Sequence, residues 1–406
     1  MVLCLLMAAA SSYSHDRPLS LDECLAEAMQ NNIGLKAAGK EVEVYDARTG
    51  SYLDLPGTGV ELSQSSIEGA GMDNGLTFSQ EFDFPTVYVA KRKVLKAEHE
   101  LRRVKYSQQV AELRGEVYSV YFSLLHRKAK LRLLEKEYPS YAEFARISRV
   151  RFEEGESSRL EFLNAERMKA KLVARIEDTR SDIAGLRLEL AKKIGSDTAA
   201  DISGDELFLV DFGDELLYFD ATSTFSSKVM DAQIDINKKY EWLTRQEFMP
   251  GLSVSATSQL VIKGFNPYHV DRERFTKGDF MGFAVGVTVP LFFGSKRSKL
   301  IAAKRETELA RLMLEEDLQS TSFEYDNLKN ELTASKKRLD YYGNEALEQA
   351  EEFRKLADIS YELGEIDYLE YMQNIESSLE IWLEYFDAID RYNRSAIKIQ
   401  TLKGQI

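Results

Sequence analysis

The residue types that most often perform chemistry in proteins are few in this sequence and lie far apart. The two cysteines, Cys4 and Cys24, form no CxxC pair and no disulfide framework. HExxH, GxSxG and P-loop patterns do not occur in the sequence. The four histidines are too scattered to indicate a metal site: His15, His99, His126 and His269. The sequence therefore predicts no catalytic residue, no metal site and no cofactor.

Acidic side chains are the other candidates for chemistry, because they outnumber basic ones. The formal net charge of the 406 residues is −14. This balance disfavours a nucleic-acid partner, since phosphate binding needs clustered Lys and Arg. An acidic surface, or an acidic conduit that favours cations, fits the charge better. Groups such as Glu153, Glu154 and Glu156 usually form a solvated helix face rather than a catalytic site. An enzyme is therefore the least supported class of function.

A glycine-centred segment occurs twice. FEEGESSRLEFL at 152–163 (the first tip) matches YELGEIDYLEYM at 361–372 (the second tip), with an offset of 364 − 155 = 209 between Gly155 and Gly364. The same offset relates Phe84 to Phe293 upstream. The pattern predicts an internal duplication, in which two copies of one supersecondary unit pack side by side.

Each copy has the periodicity of a long helical hairpin. Apolar residues spaced by three and four run from Val110 to Phe152 and again from Leu314 to Leu356, and another such series follows each glycine. An ascending arm of 69 residues, from Thr86 to Glu154, would be ~100 Å long. Pro139 should kink or break the first arm. On these heptads alone, a cytosolic coiled-coil rod is an alternative interpretation.

The segments before the long helices alternate with period two, which is typical of strands. GVELSQSS, GLTFSQEFDF, GLSVSATSQLVI and residues 279–292 give two strands per copy, each long enough to cross a bilayer when tilted. Only a closed barrel could cross the membrane in this way. A soluble hairpin packed on the helices is the alternative. If the barrel is right, the odd residues of the last strand face lipid and the small even residues face a lumen: Met281, Phe283, Val285, Val287 and Val289 are the predicted lipid-facing set.

The N-terminus resembles a secretory signal. An apolar run from Val2 to Ala10 precedes small residues, although it lacks a basic start; a short disordered tail is the alternative. Cys4 lies too close to the start to predict a lipid anchor. The predicted segments are a signal (1–16), an N-terminal helix (17–56), a β-hairpin (57–84), a helical hairpin (85–195), a linker with an equatorial helix (196–249), a second β-hairpin (250–292) and a second helical hairpin with the C-terminal helix (293–406).

This order of parts, repeated twice, resembles the TolC family of bacterial outer-membrane efflux ducts. LSLDECLAEAMQNNIGLKAA is similar to that family's N-terminal motif, with Ile33-Gly34 in place of the usual Asn-Pro. VTVPLFFGSKRSKLIAAK is similar to the family's strand-to-helix junction, and both tips are similar to its hairpin ends, with Glu161 and Glu370 where the family usually has Asp. QEFDFPTVYVAKRK resembles the branch that serves copper/silver and cobalt/zinc/cadmium exporters.

The resemblance implies a mainly helical fold with a β portion. Long antiparallel coiled-coil hairpins would form a periplasmic tunnel, and four strands per chain would join a twelve-stranded transmembrane barrel in a homotrimer. It also implies a passive exit duct for small toxic compounds or metal ions, located in the outer membrane and in contact with its lipid. A periplasmic adaptor and an inner-membrane pump of the RND type would be its partners.

The two tips would then form the periplasmic mouth, dock the adaptor and set the charge or closure of the entrance. We expect the glycines to reverse the chain in a left-handed conformation, which only glycine adopts without penalty. Different residues at equivalent positions would make alternate tips chemically distinct. The expected docking and entrance residues are Gly155, Ser158, Arg159 and Glu161 in the first tip and Gly364, Asp367, Tyr368 and Glu370 in the second.

Overall fold

The computed structural model describes residues 17–67, 71–204, 206–213, 218–261 and 280–406. The predicted signal segment 1–16 lies outside these residues, as do residues 262–279 of the predicted second β-hairpin, Cys4, His15 and His269. In chain order the helices and strands of the described residues are α1 (Leu21–Asn31), α2 (Ile33–Arg48), β1 (Gly59–Ile67), β2 (Gly71–Phe82), α3 (Pro85–Glu153), α4 (Arg159–Ile194), α5 (Phe225–Gln246), β3 (Gly251–Val261), β4 (Phe280–Thr288), α6 (Gly294–Tyr341), α7 (Leu347–Glu362) and α8 (Tyr368–Lys403).

One compact unit comprises Met1–Gly39, Tyr106–Ser227 and Asp317–Ile406. Two apolar clusters hold its long helices together. The larger one joins α1, α3, α4, α6 and α8 through residues such as Val117, Leu190 and Ile397. The second lies between α3, α4 and α8 and includes Phe144 and Met372. Because each helix has only a narrow apolar stripe, packing against neighbours supplies most of the stability of these helices.

The other compact unit comprises Lys40–Lys105 and Lys228–Glu316. Its small helical core contains Ala97 and Leu101 of α3 and Ile236 of α5. The four strands form one antiparallel sheet in the order β1-β2-β3-β4, so β1 and β4 are the edges. The alternation in the sequence therefore correctly predicts four strands in two hairpins.

No helix in the described part of the chain is both long and apolar enough to cross a membrane.

The predicted N-terminal helix over 17–56 is wrong as a single element, because it is divided at Asn32. The backbone N–H of Asn32 caps the end of α1, while its side-chain oxygen accepts a hydrogen bond of 2.9 Å from the Leu35 N–H at the start of α2. The Asn32 amide also donates to the carbonyl of Lys193 at 2.9 Å. One asparagine therefore ends a helix, begins the next and ties both to α4. A short 3-10 helix, Thr49–Leu53, follows α2.

Pro139 does not break α3, since the helix continues to Glu153, so that part of the prediction is wrong; the predicted kink stays a prediction. Leu134 and Tyr141 on either side are buried in the apolar cluster, and their burial offsets the hydrogen bond that a proline removes. The second ascending arm differs from the first, because a π-helical turn, Tyr342–Ala346, separates α6 from α7. The predicted last strand is also too long, because β4 ends at Thr288, two residues before Pro290.

Candidate functional site

The two tips have the same backbone geometry. At the first, Gly155 has φ +77°, its N–H donates to the Phe152 carbonyl at 3.1 Å, and the Glu156 N–H donates to the Arg151 carbonyl at 2.8 Å. At the second, Gly364 has φ +73°, with equivalent bonds of 3.0 Å to Tyr361 and 2.8 Å from Glu365 to Ser360. This pair of bonds is the Schellman motif, which ends a helix on a left-handed residue. The predicted glycine conformation is confirmed at both tips.

The descending helix of each hairpin is capped in the same way. The Ser158 side chain accepts a hydrogen bond of 3.2 Å from the Glu161 N–H, and the Asp367 carboxylate accepts one of 2.8 Å from the Glu370 N–H. Both caps satisfy a backbone donor that the first turn of a helix leaves free. Glu161 also forms a 3.4 Å ion pair with Arg151, which ties the two arms of the first hairpin together.

The tips differ in their aromatic side chains. Phe152 and Phe162 stack at 5.5 Å across the first tip, and the guanidinium of Arg149 lies 5.8 Å from the Phe162 ring centroid. At the second tip, Tyr361, Tyr368 and Tyr371 contact one another, with ring centroids 4.9 to 5.8 Å apart. The Tyr371 hydroxyl donates to Asp358 at 2.9 Å.

Tyr368 does not lie on the surface as the sequence predicted for an entrance residue. Its side chain is buried and contacts the Phe144 ring edge-on at 4.9 Å, and burial raises its pKa to about 12. The equivalent residue of the first tip, Arg159, is exposed. Tyr368 therefore packs inside the second hairpin, whereas the side chain of Arg159 is exposed to solvent at the first tip.

Each tip exposes apolar side chains that the sequence pattern did not single out. Leu160 in the first tip and Leu363 in the second are each 69% exposed. Their neighbours Leu163 and Ile359 are also exposed. Because these pairs are three and four residues apart on a helix, each tip presents a small apolar patch rather than a single exposed residue. A helical-wheel comparison of the tips would have found them, because they lie off the seam that packs each hairpin.

The strand register places apolar side chains on one face of the whole sheet. Val285 of β4 pairs with Val254 of β3, and Phe78 of β2 pairs with both Val60 of β1 and Ala256 of β3. Gln64, Gln80 and Ser258 are polar positions on this side. We define the apolar face as Val60, Leu62, Leu76, Phe78, Phe82, Leu252, Val254, Ala256, Met281, Phe283, Val285 and Val287.

The described residues leave much of the apolar face exposed. The side chains of Met281, Phe283, Val285 and Val287 are 60% to 78% exposed. Val289 is exposed as well, but it follows the end of β4. Over residues 59–63, 75–81, 251–257 and 282–288, the opposite face carries Gly, Ser, Thr, Ala and Glu, and a Cβ on Gly286 would lie 2.4 Å from the Ser253 hydroxyl oxygen. One side of the sheet is therefore suited to an apolar solvent and the other to water.

The comparison with known proteins gives a partial family match. A sequence profile described as "Outer membrane efflux protein" matches residues 25–196. The match covers less than half of the 406 residues, and it shows that this segment resembles outer membrane efflux proteins. A search of curated protein sequences finds no match.

Solved outer membrane proteins share the fold of this chain. The outer membrane channel CmeC of Campylobacter jejuni is 17% identical, with a TM-score of 0.75 over 95% of this chain and 85% of that one. The outer membrane protein VceC of Vibrio cholerae is 17% identical, with a TM-score of 0.75 over 95% and 96%. The open-state channel MtrE of Neisseria gonorrhoeae is 16% identical, with a TM-score of 0.75 over 95% and 89%.

The compact unit that contains Tyr106–Ser227 and Asp317–Ile406, called the helical unit below, has a buried ion pair between α3 and α7. The Arg354 guanidinium binds the Glu137 carboxylate in a bidentate manner, with Nη1–Oε1 at 2.6 Å and Nη2–Oε2 at 3.0 Å. The Glu137 side chain is only 1% exposed. The hydrogen bonds to Glu137 raise the pKa of Arg354 above its ordinary value. The pair therefore connects helices from the two halves of the chain.

His126 is the only histidine of the described residues that is fully buried. Its Nε2 lies 2.9 Å from Asp387, and Asp390 is 3.9 Å from its Nδ1. Burial raises the pKa of Asp387, but the hydrogen bond to His126 and the nearby cationic groups outweigh it, so the net shift is downward. The described residues contain no group of three or more His, Cys, Asp and Glu side chains arranged to hold a metal.

Proposed function

We propose that the chain is one subunit of a trimeric exit duct, in which three chains each give four strands to a twelve-stranded transmembrane barrel. The exposed apolar face of the sheet carries this proposal, since it extends over all four strands and nothing in the described chain covers it. Lipid would remove this face from water. The edges β1 and β4 each leave unpaired backbone groups, which a membrane does not tolerate. Pairing β4 of one copy with β1 of the next closes both edges.

The helices give independent support for an oligomer. Thr321, Tyr325, Leu328 and Ser335 of the predicted α6 seam are buried within the chain. Phe353 and Leu356, which continue that seam on α7, are 60% and 52% exposed. A stripe that is filled at one end and uncovered at the other is suited to packing against a second copy. On this interpretation the two halves are copies of one unit, so the assembly has six hairpins.

The purified protein should be a trimer in detergent. We expect this because a single chain can neither pair the backbone of its two edge strands nor cover its apolar face. Light scattering on the detergent complex measures the mass, and circular dichroism measures the strand and helix content. A stable monomer that retains its full strand content would contradict the shared barrel.

We also propose that the tips dock a periplasmic adaptor, and that an inner-membrane pump of the RND type supplies the energy for export. Support comes from the exposed Leu160 and Leu363, from the exposed Arg159, and from the capped helix ends that hold them. Glu161 and Glu370 follow each turn and would set the charge of the entrance. Tyr368 is buried where the first tip has the exposed Arg159, so the two tips would respond differently when the mouth opens. The metal-exporter branch stays a prediction from the sequence.

Leu363→Asp should abolish adaptor binding while the trimer stays intact. The substitution places a charge on the apolar surface of the tip, where a partner helix would have to desolvate it. Leu188→Asp is the matched control, because Leu188 is also highly exposed but lies on α4 far from either turn. Adaptor cross-linking in cells and light scattering on the purified protein measure the two effects. Equal cross-linking by Leu363→Asp and the unmodified protein would reject the docking role.

Replacing Gly155 or Gly364 tests the turn rather than the surface. A Cβ at either position meets no atom within 4 Å, so only the left-handed backbone opposes a larger residue. The penalty for a non-glycine residue there is about 1–2 kcal/mol. Such variants are therefore expected to assemble, and any loss of docking or export would come from a displaced tip.

A further inference from the structure

An open groove lies beside the periplasmic end of the sheet, within the unit that contains the strands. It has a volume of about 530 Å³ and is lined mainly by apolar side chains. We call it the interfacial groove. Its principal lining residues are Tyr52, Leu53, Phe82, Val89, Arg92 and Leu252.

The interfacial groove continues the apolar face. Phe82 at the end of β2 and Leu252 at the start of β3 are register partners, and both belong to the apolar face and to the groove wall. Leu53 and Val89 extend this surface onto the 3-10 helix and α3, and each is at least half exposed. On the proposed function, α3 leads from the strands into the periplasmic helices, so the groove would lie near the boundary between lipid tails and headgroups.

The rim of the groove carries a positive charge. Arg92 is exposed, and its guanidinium carbon lies 5.2 Å from the centroid of the Tyr52 ring. No ion pair joins Arg92 to a carboxylate in the described part of the chain. The acidic residue of the lining, Asp83, is already bound by Lys91 at 2.8 Å. The groove therefore combines an apolar wall, an aromatic ring and an uncompensated guanidinium.

We propose that the interfacial groove binds a single phospholipid of the membrane leaflet that faces the periplasm. An acyl chain would lie against Leu53, Phe82 and Val89, and the phosphate would accept hydrogen bonds from Arg92. Guanidinium groups bind phosphate oxygens in a bidentate manner, and tyrosine prefers the boundary between hydrocarbon and water. A lipid satisfies both halves of the groove, whereas free phosphate would leave the apolar wall exposed. The inference rests on the proposed function, because the apolar face must contact lipid.

The test measures lipid binding to the full-length protein in delipidated detergent micelles. Dioleoyl phosphatidylglycerol is titrated, and native mass spectrometry counts the lipid that stays bound. Arg92→Gln should weaken binding about tenfold, the typical loss for one charge-assisted hydrogen bond. Val89→Asn should also weaken it, because it makes the wall polar. Lys93→Gln is the matched control, because Lys93 is the next residue, is exposed and lies 4.5 Å from the Trp242 ring outside the groove.

Two further ligands separate the possible sources of binding. Glycerol phosphate has the headgroup chemistry without chains and should bind at least a hundredfold more weakly than the lipid. Dioleoylglycerol has the chains without phosphate and should bind the unmodified protein and Arg92→Gln equally. Equal binding of glycerol phosphate and lipid would overturn the lipid assignment in favour of an anion site.

The remaining outcomes distinguish this inference from the proposed function. If Arg92→Gln leaves the lipid affinity of an intact trimer unchanged, the groove does not bind lipid through Arg92. That result would reject this inference without contradicting the proposed trimeric duct. Trimers that dissociate on Arg92→Gln with unchanged lipid affinity would mean that a second copy covers the groove, which also overturns it. A monomer that binds lipid through Arg92 supports the groove and rejects the shared barrel.

Discussion

Val285→Arg should destabilise the membrane-inserted protein by about 2–4 kcal/mol, the cost of a cationic side chain on the lipid face of a barrel near mid-membrane. Val285 is close to the centre of β4, pairs with Val254 and is 78% exposed in the single chain. Gln80 shares the row of Val254 and Val285 but lies two strands from Val285, and its amide already donates to the carbonyls of Pro56 and Glu81. Denaturant titration of the protein in lipid vesicles, followed by the strand signal, measures the loss.

Ala284→Arg is the matched control, because it introduces the same side chain one residue away. Ala284 pairs with Ser255 on the polar face, where the register places serine, threonine and glycine. An arginine there would project into water and should cost much less than one at position 285. Equal losses from the two variants would mean that the sheet does not have one lipid face and one aqueous face.

The strands and the tips could be predicted from the sequence because both depend on local patterns. Alternation at 279–292 fixes which residues share a face, and a glycine between two helical series marks a reversal. The pairing of β2 with β3 could not be predicted in this way. It joins the two halves of the chain, and it is this contact that extends the apolar face from Val60 to Val287.

The interruptions of the helices depend on distant contacts, so local patterns mispredict them. Pro139 is a strong breaking signal, yet α3 continues because its neighbours Leu134 and Tyr141 are buried. Asn32 is a weaker signal, yet it divides the N-terminal helix because its amide reaches the Lys193 carbonyl. The π-helical turn at Tyr342–Ala346 occurs in a segment whose three-four spacing reads as uninterrupted. In each position, tertiary packing outweighs helix propensity.

Equivalent positions in the two tips also differ in burial, which the sequence repeat does not predict. Arg159 and Tyr368 are related by the offset 368 − 159 = 209, and both follow an N-cap. One is exposed and the other is buried, since the tyrosine ring contacts Phe144 on α3. The repeat predicts where the chain turns, but not which side chain enters the core.

The Glu137–Arg354 ion pair could not be predicted from the sequence repeat, because the pair does not follow the symmetry of the two copies. The equivalent positions are 137 + 209 = 346 and 354 − 209 = 145, which are both alanine. The ion pair therefore has no counterpart in the other half. In the sequence, Glu137 belongs to a charged run, EKE, that predicts a solvated face, whereas its carboxylate is inside the helical unit and accepts two hydrogen bonds from Arg354.

Arg354→Met should lower the free energy of unfolding of the helical unit by about 3 kcal/mol. Removing one partner of a buried pair costs about 3–5 kcal/mol, because the remaining charge is left without compensation. The lower end of this energy range applies here, because the Arg354 side chain is 33% exposed and water can therefore enter the space that it vacates. Methionine keeps most of the side-chain volume, so the loss reports the charge rather than a cavity. The denaturant midpoint of the helical signal at constant slope measures it.

Two variants show whether the cost comes from the buried carboxylate. In the double variant Glu137→Leu/Arg354→Met, no charge remains, and most of the lost stability should return, because apolar replacements of a buried pair are often neutral or stabilising. Arg146→Met removes the cation of a similar bidentate pair with Glu143 on the same helix, but both side chains there are about half exposed or more. Water solvates the remaining Glu143 carboxylate, so the denaturant midpoint of this variant should hardly change. If the double variant were as unstable as Arg354→Met, the pair would not be the cause, and the packing of the arginine chain between α3 and α7 would be.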